Sequence, residues 1–284
     1  MKKTSGSYMI SFLLAMALWC LPLWAEAAQP ILVEGAMACE TDWLIGKLEN
    51  PSEQRIGGWR FVCGEIRGIP VVVSVTSIGT TNAAAATVLG IERFHPAAVI
   101  NQGTSGGHDP ALHTFDIVLG AKTFDASAWI SRAERRGADG RHIELRPSYY
   151  YDSDSRENRE KIELEADPEL LEAAVAEAAS YQAGRVVSGK IATSNNWNRQ
   201  RDRIRFLYEK FGSSCEEMEA HASAQICRNY GVPFLGIRIL SNAELHGEEF
   251  DPAAGTACQQ YVLAVIQSYA ERKAIKRDSR KDLG

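Results

Sequence analysis

The chain has 284 residues, of which 45% are hydrophobic and 24% charged, with a formal net charge of −5. The composition is globular, and the acidic balance argues against nucleic acid as a partner. The length suits one large α/β domain or two small ones.

Taken in chain order, the first segment is a targeting signal. Lys2 and Lys3 precede an apolar run from Met9 to Trp24, and Ala25-Glu26-Ala27 follows as a small-x-small cleavage site. Residues 1–27 therefore read as a signal peptide, with a mature domain over 28–284. The expected location is periplasmic or secreted, with no stable membrane insertion after cleavage. Five cysteines remain in the mature chain: Cys39, Cys63, Cys215, Cys227 and Cys258. They form no CxxC pair and no metal-ligand spacing, so no metal is expected. Most read as small buried hydrophobes.

Ile31 to Val33 is a short apolar run, and Glu40 to Leu48 reads as an amphipathic helix. Two strands are expected at Trp59–Ile66 and Ile69–Val75, turned at Arg67-Gly68. "NAAAATVLGIERF" is helical, "PAAVINQG" is a buried strand that enters the glycine-rich "GTSGG", and "DIVLGAKTF" is another strand. Ser131 to Glu165 is charged and without a clean period, so it reads as a surface excursion or lid. Pro168–Tyr181 is a helix, "GRVVSGKIATS" a strand, and Arg199–Phe211 a helix. Glu217–Asn229 is a further helix, Pro233–Leu240 a strand and Gly255–Arg272 the closing helix. Strands alternating with helices predict a single three-layer α/β sandwich around a central mixed sheet. Ligands in such sheets gather at the carboxyl ends of strands. Here those ends carry Thr76 to Gly79, Gly103 to Gly107, Thr193 to Trp197, and Ser241-Asn242.

"NQGTSGG" alone is a weak signal: it is not GxGxxG and lacks the P-loop lysine. Four motifs in order are more specific: "GAMACE", "INQGTSGG", "CEEMEAHASAQICRNYGVPFLGIR" and "ILSN". With them the mature chain resembles the nucleoside phosphorylase/nucleosidase family, in particular its 5′-methylthioadenosine/S-adenosylhomocysteine nucleosidases. The resemblance implies a nucleoside phosphorylase-like fold, a purine nucleoside as small-molecule partner, no cofactor, and a homodimer. It also implies roles. Glu40 matches the glutamate that orients the attacking water, and Arg238 an arginine near that water. Met218 and Glu219 match the pair that holds the ribose. Thr104 falls near sugar and base, and Trp197 where an aromatic stacks on the purine. Trp129 lies roughly where relatives lend an aromatic to a neighbour's pocket. Glu216 and Glu217 are expected to be solvated acids, or to serve the helix start or a side of the pocket.

Hydrolysis of an N-glycosidic bond needs these residue types. Positive charge builds on the ribose, where a carboxylate such as Glu219 stabilises it and fixes the hydroxyls. Glu40 can take a proton from water. An aromatic face supplies apolar contact for the base. Phosphorolysis would need cationic donors for phosphate, and "AAVINQG" has no arginine, so an exported purine nucleosidase is favoured over a phosphorylase. One departure matters. The methylthioadenosine branch ends its last core strand with Ser-Asp, the aspartate acting as general acid, whereas this chain has Ser241-Asn242. An amide donates a hydrogen bond but cannot deliver a proton. The readings left open are preference for 6-oxopurine nucleosides, replacement of the acid by Glu244, and a weakly active or purely binding protein.

Overall fold

The structure, a computed structural model, describes residues 28–152 and 155–281. The expected signal peptide over 1–27 lies outside the described residues. In chain order the elements are β1 (Ile31–Gly35), α1 (Ala38–Ile45), β2 (Glu49–Ile56), β3 (Trp59–Ile66), β4 (Ile69–Val75), α2 (Thr80–Phe94) and β5 (Ala98–Gly107). Then come β6 (Ile117–Asp125), β7 (Trp129–Ser131), β8 (Ile143–Leu145), β9 (Ser148–Asp152), β10 (Glu157–Lys161), β11 (Glu163–Glu165) and α3 (Pro168–Ala176). The chain continues through β12 (Val186–Thr193), α4 (Arg201–Phe211), β13 (Cys215–Glu217), α5 (Ala220–Tyr230) and β14 (Phe234–Asn242) to α6 (Ala253–Lys281).

The apolar run of β1 explains the layering. Ile31 and Val33 point into one core with Leu44, Tyr261 and Val265, whereas Leu32 points into another with Phe61, Ile91 and Val99. A strand covered on both faces must be apolar at successive positions, because alternate side chains meet opposite layers. Helices α1, α3 and α6 cover the first face, and α2 and α5 the second. Burying each such aliphatic side chain stabilises the fold by about 1.5–3 kcal/mol relative to exposure.

The sheet is mixed and has ten strands among the described residues. β1 lies parallel between β4 and β5, and β4, β3 and β2 continue as an antiparallel meander. The other half closes on itself. β5 pairs with β14, β14 with β6, β6 with β12, β12 with β13, and β13 returns to β5. Closure brings the carboxyl ends of β5, β12 and β14 to one mouth, beside the turn that follows β4.

Several boundaries move. Asn50 to Arg55 carries no apolar alternation, and the sequence gives no strand there; hydrogen bonding to β3 makes it the edge strand β2. The charged excursion holds short ribbons, β7 with β8 and β9 with β10, and its end, β11, joins the sheet edge at β6. The helix expected from Glu217 starts at Ala220, because Cys215–Glu217 is held as a strand between β12 and β5. Cys215, Cys227 and Cys258 are buried free thiols, and Cys39 and Cys63 are half-buried.

Candidate active site

A cavity of about 250 Å³ opens at the shared mouth of β5, β12 and β14. Glu40, Thr104, Trp197, Met218, Glu219, Ser241 and Asn242, seven residues singled out in the sequence, all line it. Arg238 does not.

Glu40 sits in the first turn of α1, where unpaired amides attract a carboxylate. One carboxylate oxygen accepts from the amides of Ala36 and Met37, at 2.8 and 3.1 Å. The other accepts from the amide and the hydroxyl of Thr104, both at 2.8 Å. A carboxylate has about four lone-pair directions, so these donors fill it. Of the four, only the Thr104 hydroxyl can rotate away, and doing so frees an oxygen for a water molecule. Gly103 makes this approach possible, since a Cβ there would stand 2.8 Å from the Glu40 oxygen.

Glu219 occupies the N-cap position of α5 and is 7% exposed. One of its oxygens accepts from the Gly79 amide at 2.8 Å. Gly79 holds φ at +105°, a conformation open to glycine, and this aims its N–H at the carboxylate. Burial pushes the Glu219 carboxyl up to about 8, and the neighbouring charges of Glu217 and Glu40 add to the effect. Arg238, 3.8 Å away, and the Gly79 amide oppose it without overcoming it.

Glu217 and Arg238 form the layer behind Glu219. The Arg238 Nε donates to Glu217 at 3.0 Å, and its terminal nitrogens reach Glu217, the Asn101 side chain and the carbonyls of Asn101 and Ile237. The same Glu217 oxygen accepts from the amides of Glu219 and Ala220, at 2.9 and 2.8 Å. Glu217 thus caps α5 from inside the protein. Of the two expectations for 216 and 217, the solvated acid is corrected, since both are buried, and service to the helix start and the pocket wall is what the structure shows. Each is compensated by several donors, which a linear reading of "CEEMEA" cannot reveal. Arg238, placed by resemblance near the water, is instead fully buried against Glu217, so it acts by holding the carboxylates.

Two aromatic rings frame the other end of the cavity. Trp197 is 62% exposed and meets Phe250 edge-on, with ring centroids 6.0 Å apart. Asn242 lies on the wall nearby, its Oδ1 3.3 Å from the Ser241 hydroxyl. The Ser241 hydroxyl has one proton and also faces the Ser105 carbonyl at 3.2 Å, so both the oxygen and the nitrogen of the Asn242 amide are available to a ligand. Beside these stand Glu216 and His108. Glu216 accepts from the Ser194 hydroxyl at 2.7 Å and from Asn198, and lies 3.4 Å from His108 Nε2. Burial alone would raise the Glu216 carboxyl, but His108, Ser194 and Asn198 outweigh it and hold it below the usual carboxylate range. Sequence reasoning missed His108 and Phe250. The signal for His108 was its place directly after "GTSGG", at a strand end; Phe250 follows a turn that gives no sequence cue. Glu244, considered as a replacement acid, pairs with Arg199 at 2.8 Å.

Comparison with known proteins agrees with this geometry. The family described as Phosphorylase superfamily matches residues 30–268. The 5′-methylthioadenosine/S-adenosylhomocysteine nucleosidase of Halalkalibacterium halodurans is 32% identical over 241 residues, covering 82% of this chain and 95% of the relative. That of a Geobacillus species is 30% identical over 84% of this chain and 98% of its own. Among solved structures, the same nucleosidase from Neisseria meningitidis, in complex with methylthio-immucillin-A, superposes with a TM-score of 0.70 at 26% identity, covering 84% of this chain and 99% of that one. The chain belongs to the phosphorylase superfamily. Its mixed-sheet α/β architecture is that of the nucleosidases it resembles.

Proposed function

We propose that this protein is a purine nucleosidase that hydrolyses the N-glycosidic bond of 5′-methylthioadenosine, S-adenosylhomocysteine or related nucleosides. One observation carries the choice of hydrolysis: five carboxyl groups, those of Glu40, Glu216, Glu217, Glu219 and Glu244, line the cavity, and no lysine or arginine does so among the described residues. With no guanidinium or ammonium on the wall to bind it, a phosphate dianion would face repulsion there. A neutral water molecule faces none. In this reading Glu219 holds the ribose hydroxyls, and its ionised form stabilises the developing positive charge. Glu40 accepts the proton of the attacking water. Trp197 and Phe250 contact the base. Asn242 donates a hydrogen bond to it.

Asn242 also favours a second substrate class. Its amide nitrogen suits an acceptor such as the O6 of a 6-oxopurine, so inosine belongs in the assay beside methylthioadenosine. The test is release of free base from both nucleosides, and from adenosylhomocysteine, with and without phosphate. Release without phosphate supports hydrolysis; release strictly dependent on phosphate, with ribose 1-phosphate as product, overturns it. Tight purine binding without turnover over hours would make the protein a binding member of the family.

The proposal extends to export and assembly. The order of charge, apolar run and small residues over 1–27 supports a cleaved signal and a periplasmic or secreted protein. Mass spectrometry of the exported chain should give Ala28 as its first residue. Trp129 and Ile130 are 45% and 54% exposed on β7, an apolar pair suited to a homodimer contact. Sedimentation as a monomer at micromolar concentration would remove that assignment.

A further inference from the structure

Cleavage of the C1′–N9 bond leaves its electron pair on the purine, which must then take up a proton. Asn242 has no proton to give, and Glu244 is held by Arg199. Two other ionisable side chains reach the same end of the cavity. In the sheet, Gly106 pairs with Asn242 on β14 and with Glu216 on β13. The two side chains therefore flank one strand position from opposite sides. With strands about 4.8 Å apart their backbones are about 10 Å from each other, with the side-chain-free Gly106 of β5 between them, so a purine lying over Gly106 would be flanked by both side chains.

Glu216 is the outer member of a buried chain of three groups. His108 Nε2 lies 3.4 Å from Glu216, and its Nδ1 lies 2.5 Å from the Ser213 hydroxyl. A serine hydroxyl both donates and accepts, so the ring is accommodated as neutral imidazole and as imidazolium. All three residues are more than nine-tenths buried, and Glu216 and His108 both form cavity wall. The other titratable groups on that wall are Glu40 from α1, Glu217 and Glu219 around the start of α5, and Glu244 after β14.

We propose that His108 and Glu216 supply the proton taken up by the leaving purine, a role that rests on the hydrolase reading above. As the C1′–N9 bond breaks, a purine ring nitrogen forms an N–H bond with a proton passed across a Glu216 oxygen. The N–H bond at His108 Nε2 breaks, and imidazolium becomes imidazole. The attacking water forms the C1′–O bond and gives its proton to Glu40. After the products leave, Glu40 returns that proton to solvent and His108 takes one up, so each cycle consumes one water.

The test compares His108→Gln and the isosteric Glu216→Gln, each alone and combined with Asn242→Asp, on methylthioadenosine and inosine without phosphate. Each single variant should lower kcat by at least about thirtyfold, within the general-acid range, and leave KM within about threefold. Asn242→Asp provides another proton donor, so its gain on methylthioadenosine should be at least about tenfold larger in the His108→Gln background than in the wild type. A purely structural role would not yield that rescue. Single variants that retain wild-type kcat would overturn the relay and leave the hydrolase reading standing. So would losses that Asn242→Asp does not repair. Wild-type protein that binds these nucleosides and hydrolyses none would overturn both.

Discussion

Glu219→Gln should stabilise the protein and cripple it in the same step. The folded-state carboxyl sits at about 8, against an ordinary value of 4.5. Between those values the folded chain keeps a proton that the unfolded chain has lost. Wild-type stability is therefore highest below pH 4.5 on this account, falls as pH rises towards 8, and is level above it. The gap between those two values corresponds to a ceiling of about 5 kcal/mol above pH 8. The cavity is open to water, which relaxes part of the burial, so about 2–3 kcal/mol is expected, or about 5–10 °C in Tm. Glutamine keeps the oxygen that accepts from Gly79 and does not ionise. The Tm of the variant should exceed that of the wild type by a margin that is small at pH 5 and large at pH 9. Scanning calorimetry across that range measures it. A margin equal at both ends would refute the argument, as would a wild type more stable at pH 9. In the same variant kcat/KM should fall about 10- to 150-fold above pH 8, where Glu219 is ionised, the worth of a charged hydrogen bond to the ribose.

Glu40→Gln places an NH2 group where two of the four donors converge, so it should cost about 1–3 kcal/mol of stability as well as about 100-fold or more in kcat; denaturant melts and initial rates separate the two. Trp197→Ala, at an exposed ring, should raise KM about tenfold or more with Tm unchanged within about 1 °C, checked by steady-state kinetics and calorimetry. Arg238→Met strands Glu217 in the interior and should destabilise by about 3–5 kcal/mol in urea unfolding, although the residue does not itself line the cavity. Asn242→Asp should shift the ratio of kcat/KM for methylthioadenosine over inosine upward by at least about tenfold; an unmoved ratio would mean that position 242 does not set base preference.

How much of this was legible in sequence depends on the range of the interaction. Strands such as Ile69–Val75 and Phe234–Asn242 are read from unbroken apolar runs, because burial on both faces leaves that mark locally. β2 leaves none: "ENPSEQRI" becomes a strand only because β3 lies beside it. The site divides the same way. Glu40 and Glu219 stand in motifs whose spacing is recognisable. The burial of Glu216 and Glu217 depends on donors more than a dozen residues away, at His108, Ser194, Asn198 and Arg238. Apart from the Glu219 and Ala220 amides that bond Glu217, no window along the chain contains acid and partner together, so composition favours the solvated reading.

The donor arrangement also explains why Arg238 is internal. Glu217 and Glu219 are two positions apart and both buried, so their charges repel at close range. A guanidinium on the wall could neutralise them but would also occupy the space of the sugar. Placed in β14 behind Glu217, Arg238 spends its directional bonds on Glu217, Asn101 and two backbone carbonyls, and only its longer-range charge reaches Glu219. The result is unequal treatment of neighbouring acids. Glu217 is fully paired and structural. Glu219 keeps one oxygen without a close donor among the described residues, and only this unsatisfied carboxylate can gain hydrogen bonds when ribose hydroxyls arrive. Binding energy at the sugar is thus created by withholding a partner from Glu219, and the stability cost measured in the Glu219→Gln comparison is its thermodynamic counterpart.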